Sequence, residues 1–517
     1  MIKNLENFTG DYEETEDVLD THLKDASVFS VCPRGVFYPR TTDDIVTLVN
    51  TVAKQKPYDA SLCLSVRAGG TCMTGGSLCD GYVLNLTRHM NAIHIDAGSK
   101  TATVEMGAYF RDIESSAREH GLMFAPYPSS RSLCGIGGMI GNNASGEKSI
   151  RYGATSENVL ELEVVLADGS VIRVAPKDIS AVTDPREIEL LDLHRTYGGV
   201  LKAAVGNVAK ASSGYRLDKV VRKDIFSAVP LFVGAQGTLG IVTKAVLQLV
   251  PIPEHISLLV VSAGSMRDIP SAIKIITEHN PEGLETFDRN TWKRAKLHLS
   301  DSTTKAERYL VNDAHLYLLA QFSESTQKQT DEQMESCLAA LTERGYSVQK
   351  VTDVLDQEAL WDVRRNAFLL MRDYNEVGQK AVPCIEDVIV PLEELGTFIE
   401  SLREILKKHA VEYGYHGHIG DGSLRVIPVF DFTSPQLSEN ITALMEETFA
   451  LVKKLKGNIS ADHSDGIIRT PFLREFYGDD LYRVFEEIKQ LYDPLEIMNP
   501  HKKTKGTITH LNVCLDC

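Results

Sequence analysis

The sequence predicts a mixed α+β protein of more than one domain. Three observations carry this. The chain has 517 residues, and at about 150 residues per domain two or three domains are expected. Hydrophobic residues make up 43% and charged residues 24%, an ordinary globular composition that argues against wholesale disorder. The texture also changes near Pro251 and Pro253: short strands and many glycines precede them, and helices alternating with strands follow. The expected units are an acidic segment over 1–30, a first domain over 31–253, a second over 254–505 and a tail over 506–517.

In the first domain, PRTTDDIVTLVNTVAKQ at 39–55 reads as a helix opening at a threonine cap. Ile45, Leu48, Val49 and Val52 form its apolar face. VLNL at 83–86, TATVEM at 101–106 and LGIVTKAVLQLV at 239–250 read as strands. LELEVVLADGSVIRV at 160–174 reads as a hairpin turning at Asp168-Gly169-Ser170. ISLLVVSA at 256–263 is a buried strand, too short to span a bilayer. Beyond it, three amphipathic helices are expected within 265–280, 326–345 and 391–410, with strands at 315–322 and 346–353. That alternation suggests an α/β layer. A later helix is expected to start at Ser434 as N-cap with Pro435 first and Gly457 past its end. Another stops at Asp493-Pro494.

The net charge is −17, which opposes non-specific nucleic-acid binding, because that needs clustered cations against phosphates. A small anionic substrate would need a local cationic pocket. The acidic N-terminus has no apolar core and does not read as a signal peptide. A cytoplasmic protein is expected, with peripheral docking on a membrane left open. Nine cysteines, an odd number, most of them in apolar stretches, suit a reducing compartment. Cys514 and Cys517 form a lone CxxC, which supplies two of the four ligands of a structural metal site and reads as a tail.

Three glycine loops stand out. VRAGGTCMTGGS at 66–77 can bring backbone N–H groups close to an anion, since no Cβ blocks the approach. PYPSSRSLCGIGGMIGNNASGEKSIRYG at 126–153 superficially has a dinucleotide fingerprint, but no apolar strand precedes it, so the Rossmann context is missing. VGAQGTLGIVT at 233–243 runs a glycine turn into a strand. There is no GxxxxGK[ST] loop.

Taken in order, PR-T-DDI, RAGGT-MTGG, PSS-IGGMIGNNASG, SGYRLD and GAQGTLGIVTKAVLQLVP resemble the flavoprotein fold of the vanillyl-alcohol oxidase and p-cresol methylhydroxylase family. The second half resembles the FAD-linked oxidase C-terminal domain of D-lactate dehydrogenases, glycolate oxidase catalytic subunits and D-2-hydroxyglutarate dehydrogenases. The segments are EDVIVP at 386–391, HGHIGDGSL at 416–424, ADHSDG at 461–466 and DPLEIMNP at 493–500. The resemblance implies a two-subdomain, non-Rossmann FAD-binding domain, then a substrate (cap) domain whose last helices return to the flavin. Arg67, Gly69, Gly70, Thr71, Cys72, Thr74 and Gly75 would cradle the pyrophosphate. Pro128, Ser129, Gly135, Gly138, Asn143, Gly146 and Tyr152 would pack along the flavin and its phosphates. Gly237, Gly240 and Ile241 would sit at the adenine end, and Asn499 would also bind the cofactor. Some relatives attach flavin to a histidine in the first loop; this loop has none, so non-covalent FAD is expected.

Oxidising a 2-hydroxy acid needs a cation for the carboxylate, a base for the hydroxyl proton and a hydride acceptor. On a helix Trp361, Arg364 and Phe368 share one face, and Arg365 points about 100° away. Arg364 there is either a snorkelling side chain or an anion anchor. The resemblance makes it the carboxylate-gripping residue and Lys380 a second substrate cation; otherwise Lys380 reads as a solvated lysine. His416 and His418, at i and i+2, share a face in a strand. In the resembling families a histidine before I-G-D-G, another seven residues later and a third in an E-H-G motif surround a divalent metal. His418 and His463 match the first and third, but Arg425 stands at the second, and Asp462 replaces the glutamate. Arginine cannot ligate a metal, so none is expected. His463 is the expected general base, with Arg425 supplying the electrostatic role. The expected activity is FAD-dependent oxidation of a D-2-hydroxy acid. The alternatives are an alcohol, phenol or sugar oxidase of the same fold, or a non-catalytic flavoprotein subunit. With no cysteine-rich segment after Pro500, electrons are expected to leave to a quinone, an electron-transfer flavoprotein, an iron–sulfur subunit or oxygen.

Overall fold

In the computed structural model, residues 2, 5–311, 314–373 and 377–515 are described; Cys517, the second half of the CxxC, lies outside them. The first half builds two main sheets. Strands Gly35–Tyr38, Tyr82–Asn85 and Leu64–Arg67 pair in parallel, with Asp11–Glu13 added antiparallel at one edge. An antiparallel five-stranded sheet follows, in the order Ile93–Asp96, Thr101–Glu105, Ile241–Gln248, Val159–Val165, Val171–Val174. The expected hairpin is its outer edge, and Ser170 N donates to Asp168 Oδ1 at 2.9 Å in its turn. The expected helix runs Thr42–Gln55, and Thr41 and Asp44 form a reciprocal capping box. Ile45, Leu48, Val49 and Val52 are fully buried.

The second half is one seven-stranded sheet, and every pairing in it is antiparallel. The alternation of helices and strands therefore does not produce a parallel layer. Both faces of this sheet are covered. In Leu316–Glu324, Leu318, Ala320 and Phe322 enter the main core, while Tyr317 and Leu319 enter a second core with Trp292, Leu360 and Trp361. His255–Ala263, buried over most of its length, lies within this sheet.

The helix expected to start at Pro435 begins two residues later, at Leu437. Ser434 Oγ accepts from Gln436 N at 3.3 Å, and Thr433 N donates to Asp431 Oδ1 at 2.8 Å, so these residues form a turn that ends the preceding strand. The C-terminal segment returns to the first half. Leu64 N donates to Ile497 O and Asn499 N to Leu64 O, both at 2.8 Å. Lys489 Nζ, buried, donates to Thr238 O at 2.7 Å and to Met498 O at 2.6 Å. No helix among the described residues is long and apolar enough to cross a membrane.

Candidate active site

A cavity of about 560 Å³ lies between the glycine loops and the second half. That volume is in the range of small-molecule and cofactor sites. Gly69, Gly70, Thr71 and Cys72 line it from the first loop, Pro128, Ser129 and Gly138 from the second, and Gly237 and Gly240 from the third. Arg364, Arg365, Phe368, His416, Arg425, Asp462 and His463 complete its wall. Gly138 shows why glycine is used here: a Cβ on it would meet no atom within 4 Å, so it would project into the cavity. The open, glycine-edged wall fits a large flat cofactor with a pyrophosphate.

Several residues expected at the cofactor stand behind this wall. Arg67 turns away, donating to Thr21 O at 3.4 Å. Thr74 Oγ1 accepts from Gln236 Nε2 at 3.2 Å. Gly75 (φ +73°) packs against Phe29 and Ile467, and Gly135 against Ala68. At Gly146 a Cβ would lie 1.7 Å from Tyr127 O, so glycine there serves close packing. Asn143, left-handed at φ 57°, takes Ser156 N on Oδ1 at 2.8 Å. Tyr152 is half-buried beside Glu282, and Ile241 is core. Asn499 donates to Gly76 O and Gln236 O, both at 2.7 Å, tying the first loop to the third. Cys72, in the wall, is held by Thr74 Oγ1 at 3.2 Å, and burial pushes its thiol up.

The resemblance makes Lys380 a second substrate cation. In Gln379–Ala381 the alternation buries Ala381 and leaves Lys380 exposed, its Nζ 4.4 Å from the centre of the Phe432 ring and outside the cavity wall. The shared-face argument also needs amending. The helix Val354–Arg365 ends at Asn366, and a new one runs Ala367–Asp373. Phe368 is therefore not in register with Trp361. Arg365 is the arginine over the Trp361 ring, at 5.4 Å, and it binds Glu147 through two hydrogen bonds of 2.8 and 2.9 Å. Arg364 is buried and pairs with Glu285 Oε2 at 2.5 Å, its Nε unpartnered.

The histidines separate into two layers. His416 sits on strand Glu412–Gly417 opposite Arg425. It lines the cavity with Nδ1 unpartnered, and burial, then Arg364, holds it well below its usual range. Gly417, at φ 143°, ends the strand, and a Cβ there would lie 2.8 Å from Ser423 O. His418 consequently leaves the strand face and lies behind Arg425. Its Nδ1 meets Glu285 Oε1 at 2.6 Å and its Nε2 meets Arg425 Nη2 at 3.0 Å. His463 Nδ1 meets Glu386 Oε1 at 2.9 Å, and its Nε2 takes Arg425 Nη1 at 2.8 Å. The lone pair a general base would use is thus engaged by Arg425.

Buried charges surround these groups. Burial raises Glu285 to about 7, although Arg364 opposes it. Burial alone would raise Asp462 and Glu386, but Arg425 with Lys210 holds Asp462 well below its ordinary value, and Arg469 with His463 lowers Glu386. Lys210 Nζ lies 3.2 Å from Asp462 Oδ2 and 3.0 Å from Asp421 Oδ2. Asp387 takes His463 N at 2.8 Å and Ser460 Oγ at 2.6 Å. Asp387, Asp462 and His463 could offer ligand atoms within 4.8 Å of one another, but Arg425 and these hydrogen bonds already use them. Each unit of positive charge set about 4 Å from a guanidinium costs about 4 kcal/mol at an effective dielectric constant of 20. The residues as arranged do not fit a divalent metal. Sequence reasoning assigned no role to Lys210, Glu285, Glu386 or Arg469; the visible signal was a charge inside an apolar strand, as in GLETFD at 283–288.

Comparison with known proteins agrees with this geometry. Residues 33–175 match the FAD binding domain family, and residues 252–503 match the family described as FAD linked oxidases, C-terminal domain. The D-2-hydroxyglutarate dehydrogenase of Haemophilus influenzae is 28% identical over 92% of this chain and 48% of its own length. The chain thus spans about half the length of such curated relatives. Glycolate oxidase subunit GlcD of Bacillus subtilis is 29% identical, with 91% of this chain and 88% of that protein covered. The D-lactate dehydrogenase of Archaeoglobus fulgidus is 27% identical, with 93% and 95% covered. Among solved structures, 4-ethylphenol oxidase from Gulosibacter chungangensis superposes with a TM-score of 0.70 at 17% identity, over 96% of this chain and 94% of that one. p-Cresol methylhydroxylase does so at 0.70 and 16%, over 95% and 93%. These two share the fold alone. The chain thus carries an FAD binding domain followed by an FAD linked oxidase C-terminal domain on this fold.

Proposed function

We propose that the protein oxidises a D-2-hydroxy acid to the 2-keto acid. The observation that carries this is the pair of buried guanidinium groups, Arg364 and Arg425, in the wall of the same cavity that the glycine loops line. Each has an unpartnered Nε, and a buried unmade donor is costly. A substrate carboxylate would satisfy both. An alcohol or phenol oxygen could accept a hydrogen bond but would bring no charge to match the two cations.

FAD, when bound, supplies the hydride acceptor. Arg364 and Arg425 hold the carboxylate and orient the carbinol carbon. As Cα–H leaves with its electron pair, the hydroxyl proton goes to Nε2 of His463, and the C–O bond becomes a carbonyl. For this, Arg425 Nη1 gives up Nε2; the incoming carboxylate, a better acceptor than an imidazole, draws it away. Glu386 holds the other side of the ring. The buried wall excludes bulk water, which strengthens each of these contacts.

Three relatives named D-2-hydroxyglutarate dehydrogenase, glycolate oxidase subunit and D-lactate dehydrogenase support this substrate class. Protein carrying FAD would be mixed anaerobically with D-lactate, glycolate, D-2-hydroxyglutarate, their L-enantiomers where they exist, and 4-ethylphenol. Bleaching of the flavin spectrum by a D-hydroxy acid and not by the phenol is expected. Bleaching by the phenol alone would refute the reading.

A further inference from the structure

We infer that His416 holds the oxygen at C2 of the substrate, donating a hydrogen bond to it while the hydroxyl proton leaves toward His463. This rests on the hydroxy-acid reading above and assigns one more residue to the same site. Position comes first. On strand Glu412–Gly417, His416 stands opposite Arg425 on one neighbouring strand and opposite Phe287 on the other. Directly opposite residues share a face of a sheet. His416 and Arg425 accordingly both reach the cavity wall, where Arg364 and His463 also stand. His416 is only 3% exposed.

A histidine buried for packing alone has its polar atoms paired. Here Nδ1 is closed off without a partner. Burial, and then Arg364, Arg425 and His463, all oppose a charge on the ring, so it stays neutral and carries one proton. Buried N–H groups without an acceptor are rarer in folded proteins than acceptors short of a donor. The proton therefore sits on Nε2, and the ring meets the cavity by the edge that carries it. A neutral N–H suits a neutral oxygen, whereas the two guanidinium groups match the charge of the carboxylate. The C2 oxygen accepts such a bond both as hydroxyl and as carbonyl. A donor aimed at it also stabilises the negative charge it gains as its proton leaves. His463 cannot serve in this way. Its Nε2 accepts from Arg425 Nη1 at 2.8 Å and its Nδ1 faces Glu386 Oε1 at 2.9 Å, so its forward nitrogen presents a lone pair. The two imidazoles divide the hydroxyl: His416 takes the oxygen and His463 the proton.

The test uses the FAD-loaded protein and two pairs of acids without a C2 hydroxyl: pyruvate with propanoate, and 2-oxoglutarate with glutarate. In each pair only the first has an oxygen at C2, and that carbonyl can only accept. Binding would be followed by titration of the oxidised flavin spectrum. Wild type should bind the keto acid of the tighter pair on the order of 10-fold more tightly than its deoxy partner, the fold-change of about one hydrogen bond. In His416→Phe that ratio should fall to about 1, with the deoxy acid bound within about twofold of wild type. His416→Gln, whose amide restores a donor, should keep most of the ratio. A ratio near unity in wild type, or a His416→Phe variant that keeps the wild-type ratio, would overturn the inference alone. If neither pair binds wild type, the hydroxy-acid reading falls and the inference falls with it. If neither variant folds, the wild-type ratio decides: a preference on the order of 10-fold supports the inference, and no preference refutes it.

Discussion

Arg364 is the residue on which substrate affinity should depend most. Arg364→Lys keeps a charge but loses the planar fork. Binding of a hydroxy acid, followed by flavin spectral titration, should weaken by about 1.5–3 kcal/mol, the range for hydrogen bonds to charged groups, with FAD retained. Arg365→Lys should change that affinity much less, because Arg365 is committed to Glu147. A second residue tests the pH dependence of stability. Asp288 caps the helix Arg289–His298, accepting from Thr291 N at 2.8 Å, and burial raises its carboxyl to about 6. A raised carboxyl binds its proton more tightly in the folded state, so folding stability is lost as pH rises from about 4 to 6. Asparagine caps equally well and cannot ionise. Asp288→Asn should therefore gain on wild type by about 2–3 kcal/mol between pH 4 and 7.5, as urea unfolding at both pH values would show.

At the scale of elements, the short helix Ile136–Asn142 distinguishes two uses of glycine. Gly138 opens on the cavity, whereas Gly146, just beyond the helix, abuts Tyr127 O. Gly138→Ala should raise the stability of the FAD-free protein by up to about 1 kcal/mol, the helical advantage of alanine. It should also weaken FAD binding, because the methyl group enters the cofactor's space. Gly146→Ala should do the reverse: it should lower the melting temperature of the FAD-free protein through a backbone clash. Thermal melts with and without added FAD separate the two outcomes. The break at Asn366 is another element-scale device. It lets Arg364 and Phe368 reach one cavity from two helices rather than from one face.

For the whole molecule, the segment 147–151 ties the glycine-loop half to the second half. Glu147 binds Arg365, Lys148 binds Glu282 at 2.7 Å, and Arg151 donates to Ser323 O at 2.6 Å and Asn280 O at 2.9 Å. Lys148 and Glu282 are both buried, and Glu282 also accepts from Gln321 Nε2 at 2.6 Å. Removing one partner leaves a buried charge without its counter-ion. Lys148→Ala should cost about 3–5 kcal/mol in urea unfolding. Replacing both partners, as Lys148→Met with Glu282→Leu, should recover most of that loss, since two apolar groups leave no unpaired charge.

The sequence by itself determined the class of the fold and the three glycine loops, because these are written in local periodicity and in residues without a Cβ. It also placed Arg364, Arg425 and His463 together, through motifs whose order resembles a known family. It could not determine which side of each loop faces the cavity: Gly138 and Gly146 look alike as letters and differ only in what stands opposite. The exposure of Lys380 was not legible, because a three-residue strand shows its alternation only once it is paired. Most of all, the state of His463 was invisible. Arg425 and His463 lie 38 residues apart in the chain, and only folding brings a guanidinium onto the imidazole nitrogen that a base or a metal ligand would use. A hydrogen-bond donor and the lone pair that it occupies are a property of distance, and distance across the chain is what tertiary structure supplies.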